Sequence, residues 1–268
     1  MGEQGTWLSE RRDVAPRLQG VIRRLMGYEE RTPGPSERSE LPGARVVVIV
    51  QTAAPIELDT GTGAVAPQAF VVGLGPGSTL TRHPGHQAGV QLDLHPDQAR
   101  QVLGVPLSEL TGSIVSLEDL LTSHESGFVD HVANLPTWAQ RTEAVERWVG
   151  LRWVRGRRPD PRIAGALRTI ERTAGNVEIG AIQARAELSR PHLVRLFREH
   201  VGVPPKLFAR LRRFEEIQSR VREGVRSWAE LAAELGFSDQ AHLSREVRAL
   251  SGHTPTALAA LLGATMPG

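Results

Sequence analysis

The chain has 268 residues, 40% of them apolar, which is enough for two domains of ordinary size with real hydrophobic cores and excludes a broadly disordered polymer. It has no cysteine, so disulfides and thiolate metal sites are excluded as well. The net charge of +2 hides a division: residues 1–146 carry 11 basic and 18 acidic side chains, whereas residues 161–268 carry 16 basic and 11 acidic ones, so only the back half suits a polyanion.

At the start, MGEQGTWLSERRDV has neither the basic head nor the apolar run of a signal peptide. No stretch approaches the roughly 18 apolar residues of a membrane span. The expectation is a soluble, cytoplasmic protein. Residues 31–43 (RTPGPSERSELPG) read as a surface loop. The β-branched run Val46–Val50 follows and predicts a buried strand, with further short apolar runs at Gln68–Gly73 and Ala88–Leu94. Glycine and proline punctuate the spaces between them, which predicts a small antiparallel barrel or sandwich. From His95 the texture turns helical (PDQARQVLG, PLSEL, LEDLL), and a long amphipathic segment runs from Leu135 to about Arg155. Trp138, Trp148 and Trp153 recur in it at helical spacing, which favours core packing over a ligand cleft or a dimer interface. Arg155–Pro161 (RGRRPDP) stops any helix and marks a boundary.

Beyond it the pattern predicts helices at Arg162–Thr173, Glu178–Arg185, Ser189–His200, Pro204–Glu223, Trp228–Leu235 and Asp239–Leu250, with a last turn at Thr254–Leu262. Two of these pairs repeat one another. In the first, Ile179 and Ile182 form an apolar face, Ala186-Glu187-Leu188 a turn, and Ser189 the start of the next helix. In the second, Trp228, Leu231, Ala232 and Leu235 form the face, Gly236-Phe237 the turn, and Ser238 the start. Serine is a strong N-cap because its hydroxyl accepts from a free amide of the first turn. The two serines lie 49 residues apart. Helix, tight turn and helix is the unit that seats a recognition helix in a major groove.

The second helices leave suitable side chains outside: Arg190, Pro191, His192 and Arg195 in the first, Asp239, Gln240, His242 and Arg245 in the second, with Arg248 at the rim. Arginine bridges guanine N7 and O6, and glutamine pairs with adenine in the same bidentate way. Either face alone is better read as a solvated helix surface; two copies joined by a third helix favour DNA. Arg198, Arg212, Arg213 and Arg248 are candidates for phosphate contacts, which position a protein without specifying sequence.

On these residues the chain resembles the AraC-type transcription factors over about Arg162–Leu262. LSRPHLVRLFREHVGVPPKLFARLRRF and WAELAAELGFSDQAHLSREVRALSGHTP carry the likeness. Ser189, Phe197, Gly202, Pro205, Arg213, Ala232, Gly236, Phe237, Gly252, Thr254 and Pro255 occupy the family's positions. The chain departs from the family at Gln183 and Glu187, where alanine and glycine are frequent. It departs again at Leu243 and Val247, where phenylalanines are usual, and at Leu258, where the family has an aromatic. The front half resembles, less sharply, a cupin-like domain of one branch of these regulators. The resemblance implies an α+β chain: a β-rich, cupin-like barrel over residues 1–134, a helical connector over 135–161 and an all-α DNA-binding domain over 162–268.

The implied function is sequence-specific binding of double-stranded DNA, with recognition helices 189–200 and 239–250 in successive major grooves. The front domain would sense an effector, dimerise, or do both. RNA polymerase and a second copy of the chain are further partners that the resemblance allows; no cofactor is implied. The rival reading is a ligand-binding or protein-interaction module whose DNA-binding domain is degenerate. A third, an enzyme built on the barrel, lacks support: His83, His86 and His95 do not form the cupin metal pattern, and no serine or acid sits in a catalytic setting. The glycines of GLGPG are not followed by a phosphate-loop helix.

Overall fold

The computed structural model describes residues 5–59, 61, 63–225 and 227–264. Ten strands come first, interrupted late by one helix: β1 (Thr6–Arg11), β2 (Ile22–Arg31), β3 (Ser36–Glu40), β4 (Val46–Gln51), β5 (Glu57–Asp59), β6 (Ala64–Val65), β7 (Ala69–Val72), β8 (Thr79–His83), β9 (His86–Leu94), then α1 (Pro96–Leu103) and β10 (Ile114–Ser116). They make two antiparallel sheets, one of six strands in the order β1-β2-β9-β4-β7-β10 and one of four in the order β3-β8-β5-β6. The β-rich half therefore stands as read, as two open sheets rather than a closed barrel. The three strands legible in the sequence are adjacent at the centre of the larger sheet, where β4 pairs with both β9 and β7.

Side-chain alternation along β4 explains how that sheet serves two cores. Val46, Val48 and Val50 face one side, with Val90, Leu92 and Leu94 of β9, and join the main core. Val47 and Ile49 face the other side. There they meet Tyr28, Ile56, Leu58 and Phe70 in a smaller core toward the four-stranded sheet. A continuous β-branched run with both faces buried is what such a central strand requires.

Two helices cover the first side: α2 (Phe128–Asn134) and α3 (Trp138–Arg155). Thr137 caps α3 by accepting from the Gln140 amide, 3.2 Å away. Trp148 and Trp153 take the core role, whereas Trp138 is half-buried against the sheet. Trp138 lies so close over Gly27 of β2 that a methyl there would overlap its ring. Trp148 is buried, stacks on Phe128 and donates to Glu125, and Trp153 donates to Gln98. Of the histidines weighed as metal ligands, His83 faces Glu30, His86 faces Glu29 and His95 precedes α1, and among the described residues no group of three or more His, Asp or Glu is placed to hold a metal ion.

The chain then runs through residues 156–160 without helix and continues as α4 (Pro161–Arg172), α5 (Ile179–Ala186), α6 (Arg190–Val201), α7 (Pro205–Glu223), α8 (Trp228–Glu234), α9 (Gln240–Ser251) and α10 (Pro255–Leu261). Each lies within one or two residues of its sequence expectation. α7 is the hub, with Phe208, Leu211, Phe214, Ile217 and Val221 all fully buried. One hydrophobic cluster runs from Leu18 in the β-rich half to Ala259 in α10, so the two halves share a core. No helix among the described residues is long and apolar enough to cross a membrane.

Candidate nucleic-acid interface

Both predicted pairs form. In the first unit α5 ends at Ala186, Glu187 turns the chain, Leu188 plugs the turn and α6 follows with Pro191 in its first turn. In the second, α8 ends at Glu234, Gly236 turns the chain at φ +73°, Phe237 is buried and α9 follows. On α6 the core side is Leu193, Leu196, Phe197 and Val201; on α9 it is Leu243, Val247 and Leu250. The outward sides carry Arg190, Pro191, Arg195 and Arg198 on α6, and Gln240, Arg245 and Arg248 on α9, all exposed. His192 and His242 are half-buried beside them. Among the described residues no carboxylate pairs with Arg190, Arg198, Arg245 or Arg248, and Arg195 has only Glu199 at 3.6 Å, one turn along.

What aims the two helices was not visible in the sequence. Glu199 on the flank of α6 is held by Arg100 of α1 at 2.8 Å. Glu246 on α9 takes a two-pronged grip from Arg210 of α7, at 2.6 and 3.1 Å. The far ends of both helices are tied to the β-rich half. The Thr111 hydroxyl donates to the Gly202 carbonyl after α6. The Gly77 amide donates to Leu250, and the Ser78 hydroxyl to Ser251, at the end of α9.

Residues 182–260 match a protein-family model described as "Helix-turn-helix domain". Over these residues the chain is similar to that domain. The match begins inside α5 and ends inside α10, and the β-rich half lies outside it. No curated protein matches the chain. Among solved structures the chain is similar to ToxT from Vibrio cholerae (TM-score 0.48, 10% identity, covering 89% of this chain and 98% of that one). It is also similar to the AraC-like transcriptional activator CuxR (0.28, 18%, 80% and 86%) and to a cupin domain from Bordetella pertussis (0.23, 12%, 33% and 92%).

Within these helices four expectations need correction. Ser189 holds the N-cap position of α6, but its hydroxyl makes no capping bond. Ser238 is not the cap of α9. Asp239 is, accepting from the His242 amide at 2.6 Å, while Ser238 only braces Asp239 and the His242 ring. That amide bond, helped by Ser238, holds the Asp239 carboxyl below its ordinary pKa. Arg213 turns inward: half-buried, it donates to the Gly175 carbonyl at 3.0 Å and lies 5.1 Å over the Phe237 ring. It fastens α7 to the turn before α5 and to the turn of the second unit, and is not presented to a phosphate. Arg212 is likewise drawn toward Glu215 and Glu216.

The departure from glycine at Glu187 has a measurable cost. Glu187 adopts the left-handed conformation at φ +53°, where a β-carbon crowds the following carbonyl. Glu187→Gly should therefore raise stability by about 0.5–1 kcal/mol, read as a higher urea midpoint. A lower midpoint would mean that the Glu187 side chain contributes more than its backbone costs.

A cavity of about 230 Å³ lies between the two sheets, floored by Tyr28, Ile49, Ile56, Leu58 and Phe70.

Proposed function

We propose that this chain is a transcriptional regulator that binds double-stranded DNA in a sequence-specific manner, with α6 and α9 entering successive major grooves. The reading divides the chain into a regulatory region over residues 1–134, a helical connector over 135–161 and the DNA-binding domain over 162–268. The observation that carries it is the pair of exposed, arginine-bearing helix faces, on which, among the described residues, only Arg195 has a carboxylate partner, each face being braced from behind. Recognition helices about 34 Å apart would meet one face of a duplex. Arg195 and Arg245 are proposed to read bases, with Gln240 beside Arg245, and Arg190, Arg198 and Arg248 to meet phosphates. The regulatory region is proposed to sense an effector in the cavity between its sheets, to dimerise, or both.

Selection from a random duplex library, repeated across a salt series, tests the reading. A motif spanning two successive grooves, with affinity falling steeply in salt, is the expected result. A motif of one half would leave only one unit reading DNA. No motif at all would favour the interaction module. On the selected site, Arg245→Ala and Arg195→Ala should each cost about 1–3 kcal/mol of binding and relax preference at one or two base pairs. An equal loss on random duplex would reassign that arginine to phosphate.

A further inference from the structure

Exposed arginines without a carboxylate partner also gather away from the two recognition faces, in the short segment that leads into α4. Residues 155–158 read Arg-Gly-Arg-Arg, and all three arginines are exposed. Among the described residues none of the three pairs with a carboxylate, whereas Arg152 and Arg162 on either side both do. The acid within reach, Asp160, is taken: it accepts from the Arg162 amide at 2.9 Å and from its guanidinium at 2.6 and 3.0 Å. Nor is the segment a free tail. The chain is extended where it leaves α3, at Gly156 (φ −75°, ψ 160°), and where it enters α4, at Asp160 (φ −62°, ψ 124°). Gly156 lies against α1, where a methyl on it would overlap the Gln101 carbonyl. A backbone already fixed in this way loses little freedom on meeting a polyanion.

The place of the segment in the fold says which part of a duplex it meets. α4 packs on α5 and α6, so the first unit is a bundle of three helices and the arginines precede its first. In three-helix units the segment ahead of the first helix can reach the minor groove beside the major groove that the third helix occupies. The arginines stand close to α6. His200, at the buried end of that helix, is held below its ordinary pKa by burial first and Arg100 second, and the charge of Arg157 adds to both. The other end of α4 meets the second unit. There the Gly175 carbonyl accepts from Arg213, and Asn176 closes on Gly236 so that no methyl would fit. With 12 residues, α4 is about 18 Å long, and it holds the arginines that far from the second unit.

We propose that Arg157 and Arg158 enter the minor groove flanking the first half-site, on the side away from the second, and favour A·T pairs there. The proposal rests on the regulator reading above and adds a third contact to it. The narrow minor groove of an A·T run concentrates negative potential, which draws arginine. Its floor offers only acceptors, whereas a G·C pair sets the guanine amino group, a donor, in the way. Arginine, more weakly hydrated than lysine, sheds water readily to enter such a groove.

The test uses the full-length protein and the duplex recovered by selection. The bases just outside the motif are set to an A·T run or a G·C run, on one flank at a time. On one flank the A·T run should bind about fivefold tighter or more; on the other the exchange should matter less than about twofold. Arg157→Ala combined with Arg158→Ala should erase the preference, keep the motif and reduce the salt slope by about two. Arg168→Ala combined with Arg172→Ala removes the same charge from exposed arginines farther along α4 and should leave the preference intact. Because the chain has no cysteine, Arg155→Cys offers a single anchor for an iron chelate that cuts nearby DNA. Its cuts should fall on the flank that shows the preference. Indifferent flanks, a preference that survives the first pair of substitutions, an equal loss from the second pair, or cuts between the half-sites would each overturn the proposal. Should the first pair not fold, the flank ranking and the cuts decide. A motif with indifferent flanks would strike this contact alone, whereas no motif at all would remove the regulator reading and this contact with it.

Discussion

Phe197→Ala should destabilise the protein by about 3–5 kcal/mol, enough to shift its urea midpoint sharply and to weaken duplex binding in step. Phe197 is fully buried on the inner side of α6, with its ring centre 6.1 Å from that of Phe208 on α7. Truncation removes a large apolar surface and leaves a hole that the surrounding helices close only in part. The first unit would lose its seat on the hub helix while its outward arginines stayed chemically intact. Arg198→Ala, one residue along on the exposed side, is the control and should move the midpoint by less than about 0.5 kcal/mol. Comparable losses from the two variants would mean that α6 is not seated through Phe197.

The second large effect lies at the seam. Glu215→Ala should cost about 2–4 kcal/mol, below the usual figure for breaking a buried pair because Arg23 and Arg45 retain some contact with water. Glu215 accepts from Arg23 at 3.0 and 3.2 Å, from the Ala44 amide at 3.0 Å and from Arg45 at 3.0 Å. Burial alone would raise its pKa; the charges of Arg23 and Arg45 outweigh that and hold it below the ordinary carboxylate value. A carboxyl with a lowered folded pKa gives stability that is complete above its unfolded value, about 4.3, and is lost as the pH falls through the folded one. Urea midpoints measured down this range should fall in the native protein and fall less in Glu215→Ala. Parallel curves would mean that the seam is not held by this charge.

The helical half was legible nearly residue by residue because its signals are local. Gly236, Phe237 and the period of Leu243, Val247 and Leu250 all act within one or two turns of themselves. Asp239 rather than Ser238 as the cap shows the limit of local reading: both residues can cap, and only the observed backbone chooses between them. Arg213 shows a second limit. A basic residue on a helix reads as solvent-facing until the Gly175 carbonyl and the Phe237 ring are brought beneath it. In the β-rich half, β4, β7 and β9 were legible through their continuous apolar runs. β2 was not, since its burial alternates irregularly and includes Glu30, whose partners Arg38, His83 and Gln87 come from other strands. The seam was wholly illegible, because Arg23 and Glu215 meet across 192 residues and no pattern of spacing encodes such a meeting.

Ser78 lines the cavity between the sheets and Thr111 adjoins it, yet Thr111 holds the end of α6 and Ser78 the end of α9. The two helix pairs are thus fastened to the β-rich half as well as to the rod between them. A rod alone could flex to follow a changed target; a rod with both outer ends pinned cannot. On the proposed duplex, one base pair inserted between the two half-sites would carry the second about 3.4 Å along the axis and turn it by about 35°. The protein would then have to break a tie to Gly202 or to Ser251 before it could read the longer site. On that proposal its target would be measured in length as strictly as it is spelled in letters.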